Sequence, residues 1–317
     1  MKTFDSKSTT EDVLAGVDLT GKRVFVTGAS AGLGVETVRA LAARGAHVVG
    51  AARNLDKARR AIAAAQAEAG SGGTIELVEL DLTDLASVRR AADQQIAADQ
   101  PYDLLIANAG VMACPKGTTT DGFETQFGTN HLGHFVLVNR MAPLLRRGAR
   151  VVMLSSSGHR FSDVDLDDPN FAHTPYEPFV AYGRSKTANI LFAVELDRRL
   201  RERGVRATAV HPGGIMTELG RHLDPAVIEG MLEQMRARGE AFSWKSIPQG
   251  AATSVWAGVV APAEAVGGRY CEDCHVAELT EGVDPTVARA GVRPYALDPD
   301  RARALWTKSE VMVGERF

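Results

Sequence analysis

The chain has 317 residues, 45% of them hydrophobic, and a formal net charge of −3. That balance lacks the basic excess of a nucleic-acid surface. No apolar run reaches the ~18–20 residues of a membrane span, and three cysteines do not make a disulfide scaffold. Thr9-Thr-Glu-Asp12 can cap a short helix in an N-terminal extension (1–20), which is polar and lacks the basic start and apolar run of a secretory signal. A reduced, cytoplasmic setting is expected. Arg23 to Thr27 reads as a first strand, Thr37 to Arg44 as helix, His47 to Ala51 as a second strand, and Leu55 to Ala69 as helix. Strands at Ile75 to Leu80, Asp103 to Ala107, Arg150 to Ser155 and Arg206 to Val210 continue the series, apolar almost throughout. This alternation predicts an α/β fold, a Rossmann-type doubly wound parallel sheet with helices on both faces. No linker or repeat divides the chain, so a single domain over 1–317 is expected, with an inserted loop at 159–178 and a C-terminal extension at 272–317.

Thr27-Gly-Ala-Ser-Ala-Gly-Leu-Gly34 follows the first strand and opens a helix. Gly28, Gly32 and Gly34, with Ser30 and Leu33 between them, form a turn whose backbone N–H groups would receive a pyrophosphate. The strand, loop and helix context is what makes this glycine pattern specific. The second strand ends in Ala51-Ala52-Arg53-Asn54, without the acidic residue that binds the ribose 2′-hydroxyl of NAD. Arg53 can pair with a 2′-phosphate. The alternative, a solvated arginine at a helix start, is weakened because a helix N-terminus disfavours a cation with no anion near. The expected cofactor is therefore NADP(H). Asp81 and Leu82 follow the third strand, at the adenine end of such a site. Asn108, Ala109 and Gly110 follow the fourth, where small residues would admit a cofactor.

Tyr182 and Lys186 stand at i and i+4 on a segment that reads as helix through Arg199. A free tyrosine titrates near ~10, too high for a base at neutral pH. A nearby ammonium favours the phenolate, so the pair is a plausible acid/base unit. In order along the chain stand the glycine turn, Asn108-Ala-Gly110, Asn130, Ser156, Tyr182-x3-Lys186 and His211-Pro-Gly-Gly-Ile-Met-Thr217. This series resembles the short-chain dehydrogenase/reductase family from about Asp18 to Gly268. Thr129-Asn-His-Leu-Gly-His-Phe135 and Tyr182-Gly-Arg-Ser-Lys-Thr-Ala-Asn189 resemble the branch of retinol dehydrogenases and WW-domain oxidoreductases.

The resemblance implies residue roles. Tyr182 would be general acid in reduction and base in oxidation, and Lys186 would bind the nicotinamide ribose. Ser156 would hydrogen-bond the substrate oxygen, and Asn130 would hold a proton-relaying water. Pro212, Gly213, Ile215 and Thr217 would meet the nicotinamide, Asn108 would brace the sheet, and Asp81 and Leu82 would border adenine. Strand alternation sets Ser156 apart from Ser155 and Ser157, and Ser156 is the assigned serine. The implied partner is a small carbonyl or alcohol substrate, in a homodimer or homotetramer. The rival activities are reduction of a C=C bond at the same groups and nucleotide sensing without catalysis.

A departure is the 26-position spacing from Ser156 to Tyr182, about twice that of simpler members. The additional residues form the inserted loop, and long loops in compact domains are more often functional than idle. Residues 218–245 read as either a substrate lid lined by Met and aromatic groups or a packed helix or subunit contact; as a lid they would imply an apolar substrate. Cys271, Cys274 and His275 do not complete a tetrahedral zinc site, so packed thiols and no metal are expected. His131 and His134 are expected to pack near the sheet. Asp163, Asp165, Asp167 and Asp168 are expected to form a solvated acidic loop, since their spacing lacks the pattern of a calcium loop.

Overall fold

Side chains of opposite parity along each strand feed two separate apolar layers. The structure, a computed structural model, describes residues 3–69, 72–221, 229–230, 233, 244–280 and 290–317. Strands β1 (Arg23–Thr27), β2 (His47–Ala52), β3 (Thr74–Glu79), β4 (Tyr102–Ala107), β5 (Leu145–Leu154), β6 (Arg206–His211) and β7 (Tyr270–Glu272) run parallel. Their order is β3-β2-β1-β4-β5-β6-β7, and β8 (His275–Val276) adds antiparallel to β7. Phe25, Val49, Leu105, Val151 and Ala207 enter one layer, and Val24, Val48, Leu104, Val152 and Val210 enter the other.

Helices α1 (Thr10–Val13), α2 (Gly32–Ala42), α3 (Leu55–Ala69), α4 (Leu85–Ala98), α5 (Thr125–Phe127), α6 (Gly133–Met141), α7 (Pro178–Leu200), α8 (Ile247–Val255), α9 (Ala263–Val266) and α10 (Pro299–Val313) complete the chain. One face is covered by α4, α6, α7 and α10, the other by α2 and α8. The strand order reverses between β1 and β4, which opens a crevice at their carboxyl ends, the place where ligands bind such sheets.

The expected strands are present with shifted ends. β5 begins at Leu145 rather than Arg150, because a register shift between Tyr102 and Leu104 lets Leu145 pair with Tyr102 of β4. A further parallel strand, not in the expected series, lies at Tyr270–Glu272. The Thr9–Asp12 capping box is formed at α1. The acidic loop is a correction: Asp168 is buried, accepting N–H bonds from Ala172 (2.6 Å), His173 (3.0 Å) and Thr174 (2.8 Å). Asp163 pairs with Arg301 at 2.8 Å. These carboxylates organise the inserted loop, and Arg184 anchors it through the Asp168 carbonyl (2.8 Å). The expected lid lies largely outside the described residues; only its ends and three isolated positions within it are described. Among the described residues no helix is long and apolar enough to cross a membrane.

The C-terminal extension is part of the core. Asp298 caps α10 through Asp300 N–H (2.8 Å) and Arg301 N–H (3.0 Å). Trp306 is buried, with ring centroids 5.1 Å from Phe135 and 5.7 Å from Phe192, and the Arg199 guanidinium lies 4.0 Å above its ring. Trp306→Ala is expected to cost about 3–5 kcal/mol, read as a lowered chemical-denaturation midpoint.

Candidate active site

β1 ends at Thr27 and the chain turns at Gly28, whose φ is +79°. A Cβ on Gly34 would lie 2.1 Å from the Gly28 carbonyl oxygen, so only glycine lets α2 close onto this turn. Asn108 Nδ2 donates to the Thr27 carbonyl (2.8 Å), and the Ala109 N–H to Thr27 Oγ1 (2.9 Å). The ends of β1 and β4 are thereby tied together. Ala31 precedes α2 and supplies no side-chain cap, so the first-turn N–H groups have no side-chain acceptor. That is the composition of an anion site.

The Pro212–Thr217 segment folds over the same turn. The Thr217 methyl carbon lies 3.4 Å from where a Cβ on Gly32 would stand, and Ile215 and Leu33 both press on Gly250 of α8. Lys245 holds the segment by donating its N–H to the Gly214 carbonyl (2.9 Å), and its aliphatic stem packs on Gly213. At the other end of the crevice Arg53 is exposed, lining a shallow depression with Asn54, Leu55, Asp56, Arg59 and Glu79. Asp81 accepts from Thr83 N–H (2.9 Å) and Oγ1 (2.7 Å), and Leu82 packs against Gly133.

α7 carries Tyr182 and Lys186 to this crevice, both 3% exposed. The three serines follow the end of β5 at Leu154 and take different partners. Ser155 Oγ donates to the Lys186 carbonyl (2.8 Å) and fastens β5 to α7. Ser156 caps the 3-10 turn Ser157–Phe161, its Oγ accepting the Gly158 N–H (3.0 Å), and both Ser156 Oγ and the Tyr182 ring face Gly158. The phenol ring lies against Gly158, where a Cβ would be 2.6 Å from Tyr182 Cε1. Lys186 Nζ donates to the Leu154 carbonyl (3.1 Å) and lies 5.7 Å from the Tyr182 ring centroid.

Asn130 lies within a single π-turn, Gly128–Leu132. Its side chain clamps Val111 at N–H (2.8 Å) and carbonyl (2.9 Å) and donates to Ser185 Oγ (2.9 Å). Gly110 fits between Asn130 Oδ1 and Lys186 Nζ, at 3.0 Å and 3.5 Å from where its Cβ would be. Asn130, Ser156, Tyr182 and Lys186 thus converge beside the glycine turn.

The electrostatics depart from expectation. Burial pushes the Tyr182 phenol up to about 12, opposed by Ser156, so desolvation outweighs the expected depression by the ammonium. Burial also lowers Lys186 to about 8.

His131 and His134 are buried as expected, but sequence reasoning did not foresee the polar partners of the buried histidines. His134 Nε2 lies 2.9 Å from Thr27 Oγ1, and its Nδ1 lies 3.0 Å from the Asn130 carbonyl. His211 Nδ1 accepts from Ser157 N–H (3.2 Å) and Gly213 N–H (3.4 Å). His131 reaches Ser309 Oγ at 2.8 Å. Burial depresses His131 and His211 to about 3 and His134 to about 4. Their only sequence signal was proximity to the motifs. Cys271 and Cys274 are free buried thiols facing different threonines, Thr208 and Thr253. Among the described residues no three metal-ligating side chains cluster.

A family model described as short chain dehydrogenase matches residues 22–227. The chain belongs to the short-chain dehydrogenase/reductase family. It is an oxidoreductase of that family. It is 43% identical over 295 residues to a Streptomyces lividans protein described as a probable oxidoreductase, covering 92% of this chain and 97% of that one. It is 39% identical over 314 residues to human retinol dehydrogenase 14, covering 93% and 87%. A Burkholderia cenocepacia short chain dehydrogenase solved in complex with NADP matches at 26% identity and a TM-score of 0.63, covering 81% of this chain and 98% of that one.

Within this short-chain dehydrogenase the buried lysine has a measurable cost. Below pH 8 the folded and unfolded states both hold the Lys186 proton; between about 8 and its ordinary 10.5 the unfolded chain binds more protons, so stability rises with pH. Lys186→Met is therefore expected to stabilise the unliganded protein at pH 7, with the advantage shrinking by pH 10. Denaturation midpoints of both proteins at the two pH values test this.

Proposed function

We propose that the protein interconverts a carbonyl and an alcohol with NADP(H), using Tyr182 as general acid and base on a predominantly apolar substrate. The observation that carries this reading is the buried Tyr182 and Lys186 pair, with Ser156 beside the phenol across Gly158 and an uncapped helix N-terminus nearby. When bound, NADP(H) supplies or accepts the hydride. A phenol held near 12 is protonated at neutral pH and delivers its proton to the carbonyl oxygen in reduction. Ser156 Oγ accepts the Gly158 N–H, and its one hydroxyl proton turns from the phenol to the substrate oxygen when substrate enters. Lys186 reaches the nicotinamide ribose, and its ammonium favours the phenolate left after transfer. Asn130 holds the water that relays protons to Lys186. The fit to a dinucleotide rests on the glycine turn and the free first-turn N–H groups of α2.

NADP(H) is favoured over NAD(H) by Arg53, which makes no ion pair or hydrogen bond among the described residues and stands where an acidic residue would recognise NAD. The NADP complex of the Burkholderia relative is consistent with this choice. Exposed apolar side chains border the site: Phe161, edge-to-face with Phe179 one turn before Tyr182, and Met216 beside Ile215. They support an apolar substrate. The site elements run from Gly28 to Thr217 and the C-terminal extension packs into the same core, so the chain is read as one catalytic unit.

Oxidation of NADPH with a panel of aromatic ketones, long-chain aldehydes and short polar ketones tests the reading. Tyr182→Phe is expected to lower kcat by roughly 10²–10⁴-fold. Ser156→Ala is expected to lower kcat strongly and Ser155→Ala far less; the reverse order overturns the assignment. Arg53→Ala is expected to raise KM for NADPH about tenfold and leave that for NADH unchanged. Preference for the short polar ketones would overturn the apolar substrate.

A further inference from the structure

The C-terminal extension reaches the Ser156 peptide through one imidazole. His159 is fully buried, its ring centroid 5.0 Å from that of Tyr270. His159 Nδ1 lies 2.7 Å from the Ser156 carbonyl oxygen, which only accepts, so Nδ1 carries the proton. His159 Nε2 lies 3.2 Å from the Arg293 N–H, which only donates, so Nε2 is the bare acceptor. One neutral tautomer satisfies both neighbours, and burial keeps the ring neutral by lowering it to about 4. The His159 carbonyl is held as well, by the Tyr295 hydroxyl (2.7 Å) and Thr187 Oγ1 (3.1 Å).

Ser156 opens the turn that His159 closes, with the His159 N–H returning to the Ser156 carbonyl (3.1 Å). Ser156 Oγ sits inside that turn on the Gly158 N–H, so fixing the Ser156 peptide fixes the hydroxyl. The extension is itself rigidly hung. Val292 exchanges backbone bonds with Glu278 (2.9 Å) and Thr280 (3.0 Å), and the Gly291 N–H donates to the buried Glu272 carboxylate (2.6 Å).

We propose that His159 is a positioning residue through which residues 291–295 of the C-terminal extension set the Ser156 hydroxyl against the substrate oxygen. The proposal rests on the role given to Ser156 above. It makes the extension part of the catalytic apparatus, acting on the substrate side of the site and not on the glycine turn.

The Arg293 N–H can be deleted alone. Arg293 has φ −73°, inside the range of proline, and Val292 is in an extended bridge with Leu279, as a residue before proline requires. Arg293→Pro removes the N–H, while Arg293→Ala loses the same side chain and keeps it. The two are compared by kcat, KM for NADPH and the pH profile of kcat, using NADPH with an aromatic ketone turned over by the wild type, and Ser156→Ala is assayed alongside. Arg293→Pro is expected to have about tenfold lower kcat than Arg293→Ala with the same KM for NADPH. Its alkaline limb moves to higher pH, because the Ser156 hydrogen bond that lowers Tyr182 is weakened.

His159→Asn keeps a short donor for Ser156 but does not reach Arg293, so in that background the two Arg293 variants are expected to have equal kcat. Equal kcat of Arg293→Pro and Arg293→Ala, with or without a fall in thermal stability, overturns the proposal. Full additivity in the His159→Asn background overturns it too. Should Arg293→Pro not fold, His159→Leu replaces it: kcat about tenfold below His159→Asn at unchanged KM for NADPH supports the proposal, and equal kcat overturns it. Wild-type turnover by Ser156→Ala would instead sink the reading of Ser156, a result distinguishable from the others.

Discussion

A lysine ammonium buried beside a phenol, with no carboxylate to compensate it, is the constraint around which this molecule is arranged. Burial depresses Lys186 and raises Tyr182, so both groups are held against their own solvation. Such an arrangement persists only if its surroundings are over-determined. α7 meets that need with polar bonds along the length of its buried face. Arg184 grips the Asp168 carbonyl, Ser155 the Lys186 carbonyl, Thr187 the carbonyls of His159 and Ser162, and Asn189 the Leu154 carbonyl. The aromatic cluster of Phe135, Phe192 and Trp306 closes the far side of the helix. Strain at the site is thus balanced by packing at a distance.

Neutral histidines perform the joining inside this frame. An imidazole offers one donor and one acceptor on opposite sides of a ring, and in a dry interior its tautomer is fixed by its neighbours. His134 joins the glycine turn to the Asn130 turn, His211 joins the Ser156 loop to the Pro212–Gly213 turn, and His159 joins that loop to the C-terminal extension. Each links two chain segments and keeps them in register. A charged side chain in the same places would bring an uncompensated charge into the core.

On the function proposed above the crevice has a cofactor half and a substrate half, and the two are built differently. The cofactor half relies on backbone: a positive-φ glycine, a helix packed too closely for any Cβ, and free N–H groups. Such features tolerate few residues and therefore leave a strong mark on the sequence. The substrate half relies on side chains from the inserted loop, the turn after Ser156 and the extension. Many side chains can make such a wall, and it is correspondingly hard to read in advance.

The parallel sheet, its two covered faces and the glycine turn were determined by the sequence alone, because strand parity, β-branched runs and obligatory glycines are local physics. The shared helix face of Tyr182 and Lys186 was legible too, from their i, i+4 spacing, whereas Ser156 joined them only through the family resemblance. The sign of the Tyr182 shift was decided only in three dimensions: charge proximity was visible along the chain, but the opposing desolvation depends on how completely the site is buried. The same holds for Asp168, which looks like one more loop carboxylate until the loop wraps it in N–H groups. It holds most of all for His159, whose partners at Ser156 and Arg293 lie 3 and 134 positions away. Long-range pairings of this kind are specified by packing, and no local pattern encodes them.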